Sequence, residues 1–221
     1  MTEKVAQIVM GPAGTGKTTY CTAMANYCRE QNRTVHIVNL DPAVVSMPYE
    51  ASINISDLVS LDDVLEERLL GPNGGLVYCI DYFTAKMDWF VDKLGDYESD
   101  YLILDCPGQL ELYSHLETLQ TLVETLQTAS YSICTVYLID SSFLTGASKF
   151  ITASMVALSS MARFECPHIN VVTKMDLLKD QCCGSKVIER KPEKKKKELF
   201  NSVDKNDDDD DDNNDEEEEE E

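Results

Sequence analysis

Short, largely apolar runs recur along the chain at QIVM (7–10), VHIVNL (35–40), YLILD (101–105), ICTVYLID (133–140) and HINVVT (168–173). Each has the length of a strand and little alternation, the pattern of a strand buried on both faces. Between them the apolar residues take helical spacing. One set is Leu58, Leu61, Leu65 and Leu69, and a second is Leu76, Ile80, Phe83, Met87, Phe90 and Leu94. A third is Leu112, Leu116, Leu119, Val123 and Leu126, and a fourth is Phe150, Ala153, Ala157 and Met161. Strands alternating with helices predict an α/β fold with a mostly parallel sheet. The last two stripes read as helices packed on the chain's own sheet, with a dimer surface as the alternative.

GPNGG (71–75) falls between the first two helical sets. Asn-Gly between apolar runs is a hairpin signal, but helical periodicity on both sides makes it a helix-to-helix connection. Gly71 is expected to end the first helix at positive φ, Pro72 to prevent its continuation and Asn73 to cap the second. The N–H groups of Gly74, Gly75 and Leu76 would then lie at a helix N-terminus, suited to an anion.

Periodicity fades beyond about Lys179, which predicts a domain over 1–180 and a disordered tail over 181–221, lysine-rich and then acidic. The formal net charge is −21, and residues 204–221 carry fourteen carboxylates and one lysine, a net −13, which leaves −8 for the rest. An acidic fold with an acidic tail argues against direct nucleic-acid binding. The tail reads as a solvated end, the alternative being recruitment of a basic protein. No apolar run is long enough to span a bilayer, and MTEKVAQIVM does not read as a signal peptide, so a soluble, intracellular protein is expected. The eight cysteines show no paired CxxC spacing and read as reduced, mostly buried thiols.

GPAGTGKT (Gly11, Pro12, Ala13, Gly14, Thr15, Gly16, Lys17, Thr18) follows the first strand, precedes a helical segment and satisfies GxxxxGK[ST] in full. The glycines let successive N–H groups converge on phosphate oxygens. Lys17 would bridge the β and γ phosphates, Thr18 would ligate Mg²⁺, and Thr19 continues the cradle into the helix. The expected fold is therefore a P-loop NTPase three-layer sandwich. YLILD ends in Asp105, placed to reach the metal, and is followed by Gly108 and Gln109, a flexible glycine beside an amide able to orient a water. Asp41 ends another strand at the same sheet edge and is a candidate for the metal, its water or the attacking water. A plain Asp-Pro turn is the alternative there. In VVTKMD, Lys174 can cover a base with its aliphatic stem, and Asp176 can accept two hydrogen bonds that guanine offers and adenine does not.

The order GPAGTGKT, NLDPA, GPN, DCPGQLELY, TKMDLL resembles the GPN-loop GTPases over residues 5 to about 179. The resemblance implies a GTP-hydrolysing, Mg²⁺-dependent switch that pairs with itself or with a paralogue. It implies work in RNA polymerase II assembly and nuclear import, in the cytoplasm with shuttling to the nucleus. Carried over by position, Gly71, Pro72 and Asn73 form a loop reaching toward the partner's nucleotide. Asp41, Asp105 and Gln109 hold metal and water with Glu111 in support, and Lys174 and Asp176 read the base. Where the family continues with further helices, another core strand and a second guanine loop, this sequence has Cys182, Cys183, a lysine run and the acidic tract. An incomplete base pocket and sheet edge are therefore expected. A nucleotide kinase would need an arginine-rich lid, which is not apparent. A nucleotide-binding scaffold without appreciable turnover is the non-enzymatic alternative.

Overall fold

In a parallel sheet every strand needs a crossover, and the helical stripes supply them. The computed structural model describes residues 4–44, 46–95, 101–109 and 118–182. Six strands, β1 (Lys4–Met10), β2 (Val35–Asn39), β3 (Ile53–Asn54), β4 (Tyr101–Asp105), β5 (Tyr131–Asp140) and β6 (His168–Thr173), form one sheet in the order β3-β2-β4-β1-β5-β6. All neighbouring pairs are parallel. The helices are α1 (Lys17–Glu30), α2 (Leu61–Arg68), α3 (Pro72–Ala85), α4 (Met87–Leu94), α5 (Thr118–Thr128), α6 (Ala147–Phe164) and α7 (Met175–Cys182).

Strand alternation divides the core into two layers. Ala6, Ile8 and Met10 of β1 and Leu102 and Leu104 of β4 pack with Phe83, Phe90, Leu122 and Leu126. Val9 and Ile103 face the other way, against Cys21, Ala25 and Cys28 of α1. The three-layer α/β sandwich is thus present. Registers Val9↔Asp105, Asn39↔Asp105 and Asp140↔Thr173 bring the carboxyl ends of β1, β2, β4, β5 and β6 to one edge. Ligands of open parallel sheets bind at such an edge.

Several local expectations are corrected. The two-residue strand β3 has too short an apolar signature to be predicted. HINVVT is not doubly buried: β6 pairs only with β5 among the described residues, and Ile169 and Val172 are exposed. Phe150 and Met161, expected to face the sheet, are exposed, while Ala153 and Ala157 do face it. The apolar set 76–94 is two helices, because Lys86 leaves helical geometry at φ −115°, ψ 32°. Its N–H is shared between the carbonyls of Tyr82 and Phe83, and the break lets Phe83 and Phe90 meet edge-on at 5.6 Å between centroids. Leu112 and Leu116 of the third set lie outside the described residues, whereas Leu119, Val123 and Leu126 are buried. Residues 183–221, with the tail expected there, also lie outside the described residues. Among the described cysteines, Cys21, Cys28, Cys79 and Cys106 are free and buried. No helix among the described residues is long and apolar enough to cross a membrane.

The GPN connection is also built differently from the expectation. Leu69, and not Gly71, takes the left-handed conformation at the end of α2, with φ 53°. Gly71 is extended (φ −71°, ψ 165°) and is the N-cap of α3, with Pro72 at its first position. The cause is Pro72, whose ring disfavours helical backbone in the residue before it. Gly75 donates its N–H to the Gly71 carbonyl, so it is not one of the open amides. A leucine at positive φ that is 91% exposed is strained without compensating burial. Leu69→Gly is expected to raise stability by about 1 kcal/mol, read as a higher urea midpoint at unchanged slope.

Candidate functional site

β1 runs into a loop whose backbone is set by three glycines at positive φ: Gly11 (146°), Gly14 (76°) and Gly16 (88°). At Gly11 a Cβ would sit 2.7 Å from the Leu138 carbonyl oxygen of β5, so no other residue fits there without displacing the sheet. Thr15 closes the turn, its hydroxyl donating to the Pro12 carbonyl at 2.8 Å. Gly16 is the N-cap of α1 and has no side chain to satisfy the first-turn amides, which suits that helix end to an anion. Lys17 is buried and donates through Nζ to the carbonyls of Gly11 (3.1 Å) and Pro12 (3.2 Å). Burial pulls its pKa down, opposed by the charges of Asp105 and Asp41.

Asp105, at the end of β4, is 3% exposed. Burial pushes its carboxyl up from the ordinary range, against hydrogen bonds from Tyr49 and Thr18 and the charge of Lys17. The Tyr49 hydroxyl donates to its Oδ2 at 2.9 Å. Asp41 is held by an interlock with Asn39: the Asn39 side chain accepts from the Asp41 N–H at 3.2 Å and donates to its carbonyl at 3.0 Å. Asp41 Oδ1 accepts the Ala43 N–H at 3.0 Å, so the turn given as the alternative and a position lining the cleft coexist. The hydroxyl of Thr18 and the carboxylates of Asp41 and Asp105 form a hard-oxygen donor set of the kind that suits Mg²⁺. The buried, desolvated carboxylate of Asp105 is where a divalent cation would relieve the largest cost.

Gly108 was expected to supply flexibility; the structure gives it a closer task. A Cβ there would lie 2.8 Å from the Ala13 Cα and 3.0 Å from Lys17 Nζ, so the glycine lets the β4 loop lie against the phosphate loop. Gln109 donates through Nε2 to Asn73 Oδ1 at 3.0 Å. Asn73 is therefore not the cap of α3 but a second-position side chain reaching Gln109 of its own chain. Gly71 and Pro72 set its place without lining the cleft. Glu111 lies outside the described residues.

On the far side, Lys174 is left-handed (φ 56°) and pairs through Nζ with Asp140 Oδ2 at 2.9 Å. The hydrogen bond from Lys174, joined by the Ser142 N–H, holds the Asp140 carboxyl below its ordinary value. This tie persists above the usual carboxylate range and is released only as pH falls through that lowered value. Thr173 donates its hydroxyl to the Thr15 carbonyl at 2.8 Å, joining the base-side loop to the phosphate loop across most of the chain. Asp176 is exposed on the first turn of α7.

Ala13, Gly14, Gly16, Lys17, Thr18, Thr19, Asp41, Asp105, Gly108, Gln109 and Lys174 together line one cleft of about 500 Å³, closed on the GPN side by Leu76. Asp176 is not among its lining residues. Sequence reasoning missed Tyr49, Asn39, Asp140 and Thr173. Asn39 and Asp140 stand at strand ends, a position that could have marked them; Tyr49 carried no local signal.

A family model described as a conserved hypothetical ATP binding protein matches residues 9–220. GPN-loop GTPase 3 of Dictyostelium discoideum is 55% identical over 176 residues, 80% of this chain and 62% of that protein. Its namesake from Candida glabrata is 45% identical over 188 residues, 85% of this chain and 69% of that protein. The chain belongs to the GPN-loop GTPase family. A GTPase from Pyrococcus abyssi, solved in its apo form, superposes with a TM-score of 0.71 at 31% identity, over 80% of this chain and 70% of that one. The chain thus spans between 62% and 69% of the length of these curated relatives. Membership fixes a P-loop nucleotide-binding architecture, in agreement with the cleft.

Because Lys17 is charged at a cost in the ligand-free fold, Lys17→Met should leave the melting temperature unchanged or raised. The same substitution should weaken nucleotide binding by about a hundredfold or more. Calorimetric titration beside a thermal melt checks both halves.

Proposed function

We propose that the chain binds GTP with Mg²⁺ and hydrolyses it as a molecular switch. The observation that carries this reading is the convergence on one cleft of the phosphate loop, Asp105, Asp41, Gln109 and Lys174, with Asn73 bonded to Gln109. The glycine-shaped loop and Lys17 would hold the phosphates. Thr18 and Asp105, with Asp41, would hold Mg²⁺, which when bound neutralises charge developing on the phosphate oxygens. Gln109, bonded through its amide to Asn73, would orient the attacking water, with Asn73 limiting the rotamers available to it. Lys174, pinned by Asp140, would lie against the base, and Asp176 would accept from guanine once it turns toward the ligand.

The family resemblance extends the proposal to pairing with a second copy or a paralogue, the GPN loop facing the partner's nucleotide. It also extends it to a client among RNA polymerase II subunits or assembly factors, met in the cytoplasm before nuclear import.

Phosphate release with GTP should exceed that with ATP and vanish in Gln109→Leu and Lys17→Ala. Asn73→Ala should slow turnover about tenfold, the loss of one positioning hydrogen bond in the transition state, with little change in melting temperature. Equal use of ATP would remove the guanine assignment. An Asn73→Ala variant that melts early but turns over normally would reduce the GPN motif to a helix connection.

A further inference from the structure

Tyr49 lies in the connection between β2 and β3, outside any helix or strand, yet only 9% of it is exposed. Its ring packs with Val9, Ile37 and Ile103 in the layer under α1. Packing accounts for the ring, and a phenylalanine would fill the same room. It does not account for the oxygen, which sits 2.9 Å from Oδ2 of Asp105, a residue 56 positions away. A buried phenol must find an acceptor, and here the acceptor is the carboxylate at the centre of the cation donor set. Thr18 and Asp41 line the same cleft as this carboxylate, and Tyr49 comes from the segment that also carries Asp41.

We infer that Tyr49 is a positioning residue for the cation site: its phenol orients the Asp105 carboxylate, leaving the remaining acceptor positions to Thr18 and a divalent cation. The role rests on the nucleotide-switch reading given above. It has a structural corollary. Leu40 and Tyr49, on either side of this connection, both bond Asp105 at the end of β4, the first through its N–H and the second through its hydroxyl. Cation binding at Asp105 is thereby tied to how firmly this connection is seated.

The test uses the full chain, Mn²⁺ as the probe, its free-ion electron paramagnetic resonance signal as the readout, and a saturating non-hydrolysable GTP analogue. Tyr49→Phe should weaken Mn²⁺ binding about tenfold, the scale of a hydrogen bond to a charged group. Affinity for the analogue in EDTA should stay within about twofold of wild type. In an Asp105→Asn background the same substitution should add nothing further, because the two side chains act as a unit. Mn²⁺ affinity unmoved by Tyr49→Phe, or a loss that persists in the Asp105→Asn background, overturns the role. A wild-type chain that fails to bind the analogue even with Mn²⁺ present overturns the switch reading and this role with it. Should Tyr49→Phe not fold, hydrogen exchange on the otherwise unaltered connection decides: Mn²⁺ with the analogue must raise protection over residues 46–54 in wild type and not in Asp105→Asn. Equal protection in both overturns the proposal.

Discussion

A lysine and an aspartate are buried together at the carboxyl end of the sheet, and much of the site's geometry serves to keep them there. Lys17 is held by two loop carbonyls, and Asp105 by the Tyr49 phenol. Each charge is solvated by fixed dipoles in place of water. Burial nevertheless pulls the lysine's pKa down and pushes the aspartate's up, so both charges are more costly here than in solution. A ligand bringing a polyanion to Lys17 and a cation to Asp105 would offset both costs at once. The site is therefore preorganised at the expense of ligand-free stability, the trade expected of a binding centre.

That arrangement is made rigid by the sheet. Val9↔Asp105 is a register pair, the Cys106 N–H donates to the Val9 carbonyl, and the Leu40 N–H donates to the Asp105 carbonyl. The phosphate loop and the two acidic strand ends are thus locked to one another by backbone alone. Side chains extend the lock: Thr173 reaches the Thr15 carbonyl, and Asp140 holds Lys174. The loop after β6 is thereby tied to the loop after β1, while the Gln109–Asn73 bond ties in the helical layer across the cleft.

Much of this was legible in the sequence because phosphate chemistry imposes local demands. A backbone that curls its amides inward needs glycine at specified positions, and Gly11, Gly14 and Gly16 stand there with positive φ. The central strands were legible because burial on both faces leaves a continuous apolar run. The edge strand β6 carries the same run while exposed, so composition alone could not separate the two cases. Leu69 was misjudged because glycine propensity pointed to Gly71, whereas the proline after it fixed an extended conformation. Tyr49, Asp140 and Thr173 act through partners 56, 34 and 158 positions away. No periodicity or motif spacing records such pairings, which appear only once the sheet is assembled.

If a nucleotide and a cation together offset the cost of the two buried charges, the melting temperature of the full chain should depend on GDP concentration, measured with and without Mg²⁺ and with ADP in parallel. At a hundredfold excess over the dissociation constant, GDP with Mg²⁺ should raise the melting temperature by about 5–10 °C. GDP without the metal should do less, and Mg²⁺ alone or ADP at the same concentration almost nothing. A melting temperature indifferent to GDP with Mg²⁺, or raised equally by ADP, would contradict the account.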